Sequence, residues 1–114
     1  MDHKLKLMVV DDSPLFRTWL IHSLSADDRF QVVGYAVNAL DAQEKIPLLQ
    51  PDMLTLDIEM PGMSGIDFLK QLLPVHPIPV ILVSSLNLRV FDALEAGAVD
   101  FVRKPDEANG LSKE

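Results

Sequence analysis

Three aspartates follow apolar runs of this sequence, in positions where carboxylates could bind a metal ion and attack a phosphoryl group. Asp11 and Asp12 come directly after the run at residues 7–10, and Asp57 ends the run that begins at residue 53. A carboxylate can attack phosphorus and form an aspartyl phosphate. Oxygen-only ligands with room left for water suit Mg²⁺ or Mn²⁺ rather than zinc. Without a cation the three carboxylates would repel one another, so we expect at least one raised pKa.

Two further polar groups stand at the ends of predicted strands. Ser84 ends the fourth apolar run, and Lys104 comes just after the fifth. A lysine ammonium can pair with a phosphate oxygen, and a serine hydroxyl can donate a hydrogen bond to another. The alternative for Asp11 and Asp12 is that they only cap the start of a helix. Asp57 argues against it, because an aspartate at the end of an apolar strand gains nothing from burial unless it binds or reacts.

The elements that must position these groups follow from the apolar pattern. Four runs of mostly Val, Leu and Ile, at residues 7–10, 53–56, 80–83 and 99–102, and a weaker run at 31–35 predict five strands. Their nearly continuous apolar content predicts burial on both faces of a parallel sheet. Segments with helical spacing lie between them, at residues 15–24, 39–49 and 66–73. The alternation predicts an α/β fold with a doubly wound parallel sheet, whose ligands lie beyond the carboxyl ends of the strands.

Capping residues and one proline refine the predicted helices. Ser13 followed by Pro14 predicts the start of the first helix, and Asn38 predicts the start of the second. Pro47 falls in the last turn of the second helix, so we expect that helix to end early or to kink.

Length and composition indicate one domain over residues 1–114, with 48% apolar residues and therefore a packed core. The absence of cysteine excludes disulfides, thiolate zinc sites and cysteine nucleophiles, and fits the cytoplasm. No secretory signal is recognisable, and no apolar stretch approaches the roughly 18 residues of a membrane span. A net charge of −7 argues against a nucleic-acid partner. We therefore expect a cytoplasmic domain that binds neither membrane nor nucleic acid.

The motifs VDDSPLFR, LDIEMPGMSG, VSS and KP follow one another over nearly the whole chain, and in this combination the sequence resembles the response-regulator receiver domain. The resemblance implies a flavodoxin-like receiver fold and Mg²⁺ as cofactor. It also implies a role for each matching residue: Asp57 as phosphoacceptor, Asp11 and Asp12 as acidic metal ligands, the backbone carbonyl of Glu59 as a further ligand, Lys104 as phosphate-binding lysine, Ser84 and Phe101 as switch residues, and a cis bond before Pro105.

Within that family the sequence is most similar to the receiver half of chemotaxis protein-glutamate methylesterases. The resemblance implies a histidine kinase as phosphodonor and an attached output domain or a partner output protein. The esterase domain is not among these 114 residues, so we expect no esterase activity from them. A full-length protein carrying that domain would be a methylesterase.

The chain departs from the family pattern in two segments. The stretch from residue 84 to residue 97 is shorter than the family's by roughly half a turn to one turn of helix. Only DEANGLSKE follows Pro105, so the fifth helix is expected to be truncated or missing. Part of the sheet and of the first helix near Trp19 would then be bare. Either residues beyond Glu114 cover this surface, or the 114-residue chain covers it by self-association or an exchanged segment, and if the sequence ends at Glu114 we expect a homodimer.

Two other functions are compatible with parts of the sequence. LDIEMPG loosely resembles the haloacid-dehalogenase phosphatases, but their nucleophile follows the first strand, and position 59 is Glu where they have Asp. A pseudo-receiver that only binds partners is the second alternative. A failure to bind Mg²⁺ and a phosphate mimic would favour it.

Overall fold

A computed structural model describes residues 4–85 and 90–104, and in this part of the chain strands and helices alternate. The strands are β1 (Leu5–Val10), β2 (Phe30–Ala36), β3 (Met53–Asp57), β4 (Val80–Ser84) and β5 (Asp100–Arg103). The helices are α1 (Pro14–Ser25), α2 (Ala39–Leu49), α3 (Gly65–Leu72) and α4 (Val90–Glu95). Among these helices there is none with the length and apolar content of a membrane span.

The five strands form one parallel sheet in the order β2-β1-β3-β4-β5. The predicted doubly wound α/β fold is thereby confirmed. In this order the connection after β1 leads to β2 at one edge of the sheet, and the connection after β3 leads to β4 in the opposite direction. The carboxyl ends of β1 and β3 are therefore the place where a ligand site is expected.

The predicted starts of the first two helices are confirmed. The Ser13 hydroxyl accepts a hydrogen bond from the Phe16 N–H at 3.3 Å, and Pro14 is the first residue of α1. The Asn38 side-chain oxygen accepts one from the Asp41 N–H at 2.8 Å, at the start of α2. Both caps satisfy amide groups that have no partner within the helix. Each helix therefore begins within a few residues of the strand before it, which keeps the connecting loops at the sheet edge short.

Pro47 was expected to end α2 early or to kink it, and the early end is wrong, because the helix continues to Leu49. Proline lacks an N–H and so removes one bond of the last turn. The N–H of Gln50 still bonds to the carbonyl of Ile46 at 2.8 Å and closes that turn. Gln50 then leaves the helix in a left-handed conformation, with φ of 50°.

The main core lies between the sheet and helices α2 and α3. Its buried apolar side chains come mostly from β1, β3, β4 and these two helices. The expectation that all strands are buried on both faces is wrong for the edge strands β2 and β5, where Tyr35 is 44% and Val102 is 48% exposed. Within the described residues each of these strands has a sheet neighbour on one side only. The central strands β1 and β3, at whose carboxyl ends the aspartates lie, are buried as expected over residues 7–10 and 54–57.

Three expectations concern residues near the end of the chain and the fourth helix. The described part of α4 is short, with six residues, in line with the short segment of the sequence. The cis bond before Pro105 and the truncated fifth helix lie outside the described residues.

Candidate functional site

Asp11, Asp12 and Asp57 come together at the carboxyl edge of the sheet. One oxygen from each carboxylate lies within 4.8 Å of the others. The adjacent pairing of β1 and β3 brings them together, since Val10 is the register partner of Leu56. Asp11 and Asp57 are only 2% and 1% exposed, whereas Asp12 faces solvent. Two buried carboxylates and one exposed carboxylate thus form an open acidic pocket.

Backbone amides hold the two buried carboxylates in place. The N–H of Ser13 donates to Asp11 Oδ1 at 2.8 Å, and the N–H of Glu59 donates to Asp57 Oδ1 at 3.2 Å. Arg17 donates from its guanidinium to the backbone carbonyl of Asp11 at 2.9 Å. The idea that the aspartates only cap a helix is wrong, because Ser13 is the cap of α1. The second oxygen of each buried carboxylate is turned towards a shared cation.

That cation is Lys104, which reaches the pocket from the end of β5. Its Nζ lies 3.2 Å from Asp11 Oδ2 and 3.2 Å from Asp57 Oδ2, and its side chain is 13% exposed. The backbone N–H of Lys104 donates to the carbonyl of Ser84 at 2.7 Å, which fixes the residue to the end of β4. The ring of Phe16 from α1 lies under the ammonium, with 4.6 Å between Nζ and the ring centroid. Sequence reasoning missed this aromatic neighbour.

The pocket shifts the pKa values of its groups. Burial, and next the charge of Asp11, raise the pKa of Asp57 to about 7, against the lowering effect of Lys104. Burial also raises the pKa of Asp11. Burial favours the neutral form of Lys104, but the two carboxylates outweigh it and raise the pKa of the ammonium. A raised pKa was expected from repulsion among the aspartates, but loss of solvation is the larger cause.

The donor set fits a small divalent cation. All the candidate ligands are oxygens, from the carboxylates of the three aspartates and from the backbone carbonyl of Glu59, and Mg²⁺ and Mn²⁺ prefer such ligands. One oxygen of each aspartate lies within 4.8 Å of the others, so one small cation could be held among them. The hydrogen bond from the Glu59 N–H to the Asp57 carboxylate also places the Glu59 backbone beside the pocket. A cation here would offset the charge that burial penalises.

Ser84 is fully buried at the end of β4, and its hydroxyl donates to Glu59 Oε2. The other carboxylate oxygen, Oε1, accepts from the Ser85 N–H at 3.3 Å and from the Ser85 hydroxyl at 3.5 Å. The sequence assigned Glu59 only a backbone role, so its side-chain contacts were missed. The predicted switch residue Phe101 lies on β5, where it is half-buried and packs against the main core.

The loop after Asp57 depends on a close approach by Gly65. The Gly65 N–H donates to the carbonyl of Ile58 at 2.9 Å. A side-chain carbon on Gly65 would lie 2.2 Å from the backbone oxygen of Asp57. The structure requires glycine at this position, because the start of α3 touches the backbone of Asp57.

The comparisons with known proteins agree on one family. The sequence model for the "Response regulator receiver domain" matches residues 7–114. A protein-glutamate methylesterase/protein-glutamine glutaminase 2 of Syntrophomonas wolfei is 52% identical over 90% of this chain, which spans 30% of that relative's length.

Two solved structures extend this likeness. The crystal structure of the response regulator domain of Thermotoga maritima CheB has a TM-score of 0.85 and 41% identity, over 90% of this chain and 80% of that chain. The CheX-CheY complex of Borrelia burgdorferi with BeF3 and Mg²⁺ has a TM-score of 0.77 and 31% identity, over 91% and 81%.

Proposed function

The chain belongs to the response-regulator receiver family, the phosphoacceptor module of two-component signalling, and we propose that Asp57 is its phosphoacceptor. The observation that carries the assignment is the position of Asp57. It is buried at the end of the central strand β3 and shares the Lys104 ammonium with Asp11 at 3.2 Å. A buried carboxylate beside a cation and further acidic ligands suits a nucleophile towards phosphorus.

The proposed reaction is transfer of a phosphoryl group from a phosphohistidine of a histidine kinase. An oxygen of Asp57 forms a bond to phosphorus, the bond from phosphorus to the imidazole nitrogen breaks, and the imidazole leaves with its electron pair and takes up a proton. Asp57 must be deprotonated to attack. Lys104 neutralises negative charge on the transferred group, and Ser84 can donate its hydroxyl to a phosphoryl oxygen once the group is in place.

Receiver domains bind Mg²⁺ at an acidic pocket, and we propose the same for this chain, with Mn²⁺ as a substitute. The ligands would be Asp11, Asp12 and Asp57, with the backbone carbonyl of Glu59 as a fourth. When bound, the ion supplies positive charge that neutralises the transferred phosphoryl group. The Borrelia complex contains Mg²⁺ together with BeF3, a phosphate mimic, which supports testing both with this chain.

The output is also part of the proposal. Ser84 and Phe101 would act as switch residues that bias the surface formed by α4 and β5. The chain spans 30% of the length of the methylesterase relative, so regulation of an attached chemotaxis methylesterase is proposed for a longer protein. We further propose a single receiver domain over residues 1–114, located in the cytoplasm and without a nucleic-acid partner, given its net charge of −7.

A homodimer is the last element of the proposal. Trp19 on α1 is 38% exposed and Val102 on β5 is 48% exposed, so apolar side chains on these elements face solvent. Association of two copies would remove such groups from water. Light scattering of the 114-residue chain at several concentrations tests this. A molar mass that remains that of the monomer at high concentration contradicts it.

Phosphorylation with a small phosphodonor and Mg²⁺ tests the central assignment. Mass spectrometry should show one added phosphoryl group in the wild type and none in Asp57→Asn. Asp28→Asn, which changes an exposed aspartate, is the matched control and should label like the wild type. An unchanged phosphorylated fraction in Asp57→Asn contradicts the assignment. If the wild type neither labels nor binds Mg²⁺, the chain is instead a pseudo-receiver that only binds partners.

A further inference from the structure

The carboxylate of Glu59 accepts hydrogen bonds from the same kind of donors that a phosphoryl group on Asp57 would require. We propose that Glu59 is an internal competitor for these donors and so lowers the affinity of the site for the phosphoryl group, an inference that rests on Asp57 being the phosphoacceptor. The Ser84 hydroxyl donates to Glu59 Oε2, and the Ser85 N–H donates to Oε1 at 3.3 Å. A buried hydroxyl and an adjacent amide are a suitable pair for an anionic oxygen.

The sheet places this contact beside Asp57. Asp57 is the register partner of Val83, so Ser84 stands one residue beyond the strand neighbour of the nucleophile. The N–H of Glu59 donates to Asp57 Oδ1 at 3.2 Å, which ties the backbone of the competitor to the nucleophile itself. Only one residue, Ile58, lies between Asp57 and Glu59 in the chain. The Glu59 side chain can therefore reach Ser84 without any movement of β3 or β4.

The Ser84 hydroxyl has a single proton to donate, so it cannot serve Glu59 and a phosphoryl oxygen fully at the same time. The resting state, in which Glu59 accepts from Ser84, must give way before Ser84 can turn its hydroxyl to the phosphoryl group. A ligand that needs a less populated state binds with an affinity reduced in proportion to that population. Weakening the Glu59 contact should consequently increase the affinity for a phosphoryl mimic.

Two substitutions at Glu59 separate competition from simple charge repulsion. Glu59→Asp keeps the charge but is one methylene shorter, so it loses its reach to Ser84. Glu59→Gln keeps the reach but loses the charge. We expect Glu59→Asp to bind beryllofluoride in the presence of Mg²⁺ about threefold more tightly than the wild type, or better. Charge repulsion alone predicts tighter binding for Glu59→Gln and no change for Glu59→Asp.

Ser84→Ala completes the experiment. If Glu59 acts through the Ser84 hydroxyl, most of the gain from Glu59→Asp should be lost in the Ser84→Ala background. Mg²⁺ is kept at a saturating concentration for each variant, so that the comparison measures the affinity for beryllofluoride alone. The amide resonance of Ser85 in nuclear magnetic resonance spectra should move, in unliganded Glu59→Asp, towards its position in the beryllofluoride-bound wild type.

The outcomes distinguish this inference from the proposed function. Normal binding of beryllofluoride by the wild type, together with unchanged affinity in Glu59→Asp, overturns the inference alone. A gain that persists in full without the Ser84 hydroxyl also overturns it. A wild type that binds no beryllofluoride overturns the proposed function, and the inference with it.

Discussion

The ammonium of Lys104 lies 4.6 Å from the centroid of the ring of Phe16, a residue of α1. Phe16 is itself buried and contacts the ring of Trp19, with 5.5 Å between centroids. The aromatic face attracts the cation and restricts its movement, while Asp11 and Asp57 hold it by charge. Phe16 is therefore a positioning residue for the lysine that the proposed phosphoryl transfer uses.

Replacing Phe16 should reveal this role. Phe16→Leu keeps an apolar side chain but removes the aromatic face, and a cation–π contact of about 1 kcal/mol corresponds to about a fivefold loss in beryllofluoride affinity. Phe16→Tyr keeps the face and should retain the wild-type affinity. Trp19→Leu is the control on the same helix, since it removes the ring next to Phe16 and leaves the Lys104 contact. Equal affinities for Phe16→Leu and Phe16→Tyr would contradict the prediction.

The raised pKa of Asp57 predicts how the stability of the metal-free protein depends on pH. The folded pKa of about 7 exceeds the ordinary value of 3.8, so the folded state binds more protons between these values. The free energy of unfolding should then fall as pH rises from about 4 to about 7 and level off above, by at most about 4 kcal/mol from this group.

Urea unfolding in the presence of a chelator, at pH 5 and at pH 8, measures this effect. Asp57→Asn cannot titrate, so the difference in stability between the variant and the wild type should grow from pH 5 to pH 8. The comparison cancels the contributions of carboxylates remote from Asp57, because both proteins share them. A difference that stays constant with pH would exclude a raised pKa at Asp57.

Mg²⁺ binding should depend on the same titration. A protonated Asp57 loses its negative charge and a ligand oxygen, so affinity should fall as pH drops below about 7, by up to about tenfold per pH unit. Isothermal titration calorimetry at pH 6, 7 and 8 measures it, and proton release on binding should be largest near or below pH 7. Affinity that is flat over this range would show that Asp57 is already ionised or does not bind the ion.

The sheet and the proximity of the three aspartates could be predicted from the sequence, because both follow from the order of strands and helices along the chain. Buried strands alternate with helices, and the ends of parallel strands share one edge. The contact of Glu59 with Ser84 could not be predicted, since it depends on the register of β3 with β4 and on side-chain rotamers. The same holds for Phe16 and Lys104, which lie far apart in sequence. The exposure of Val102 depends on which strand is at the edge of the sheet.

Gly65→Ala should damage the site without changing any polar group. The added carbon would lie 2.2 Å from the backbone oxygen of Asp57, so the start of α3 or the end of β3 must shift. We expect a loss of about 1–3 kcal/mol in the free energy of unfolding, measured in urea, together with weaker beryllofluoride binding. Gly34→Ala is the control, because its added carbon meets only the flexible end of Leu49, at 2.7 Å. Equal losses in both variants would contradict a specific role for the contact with Asp57.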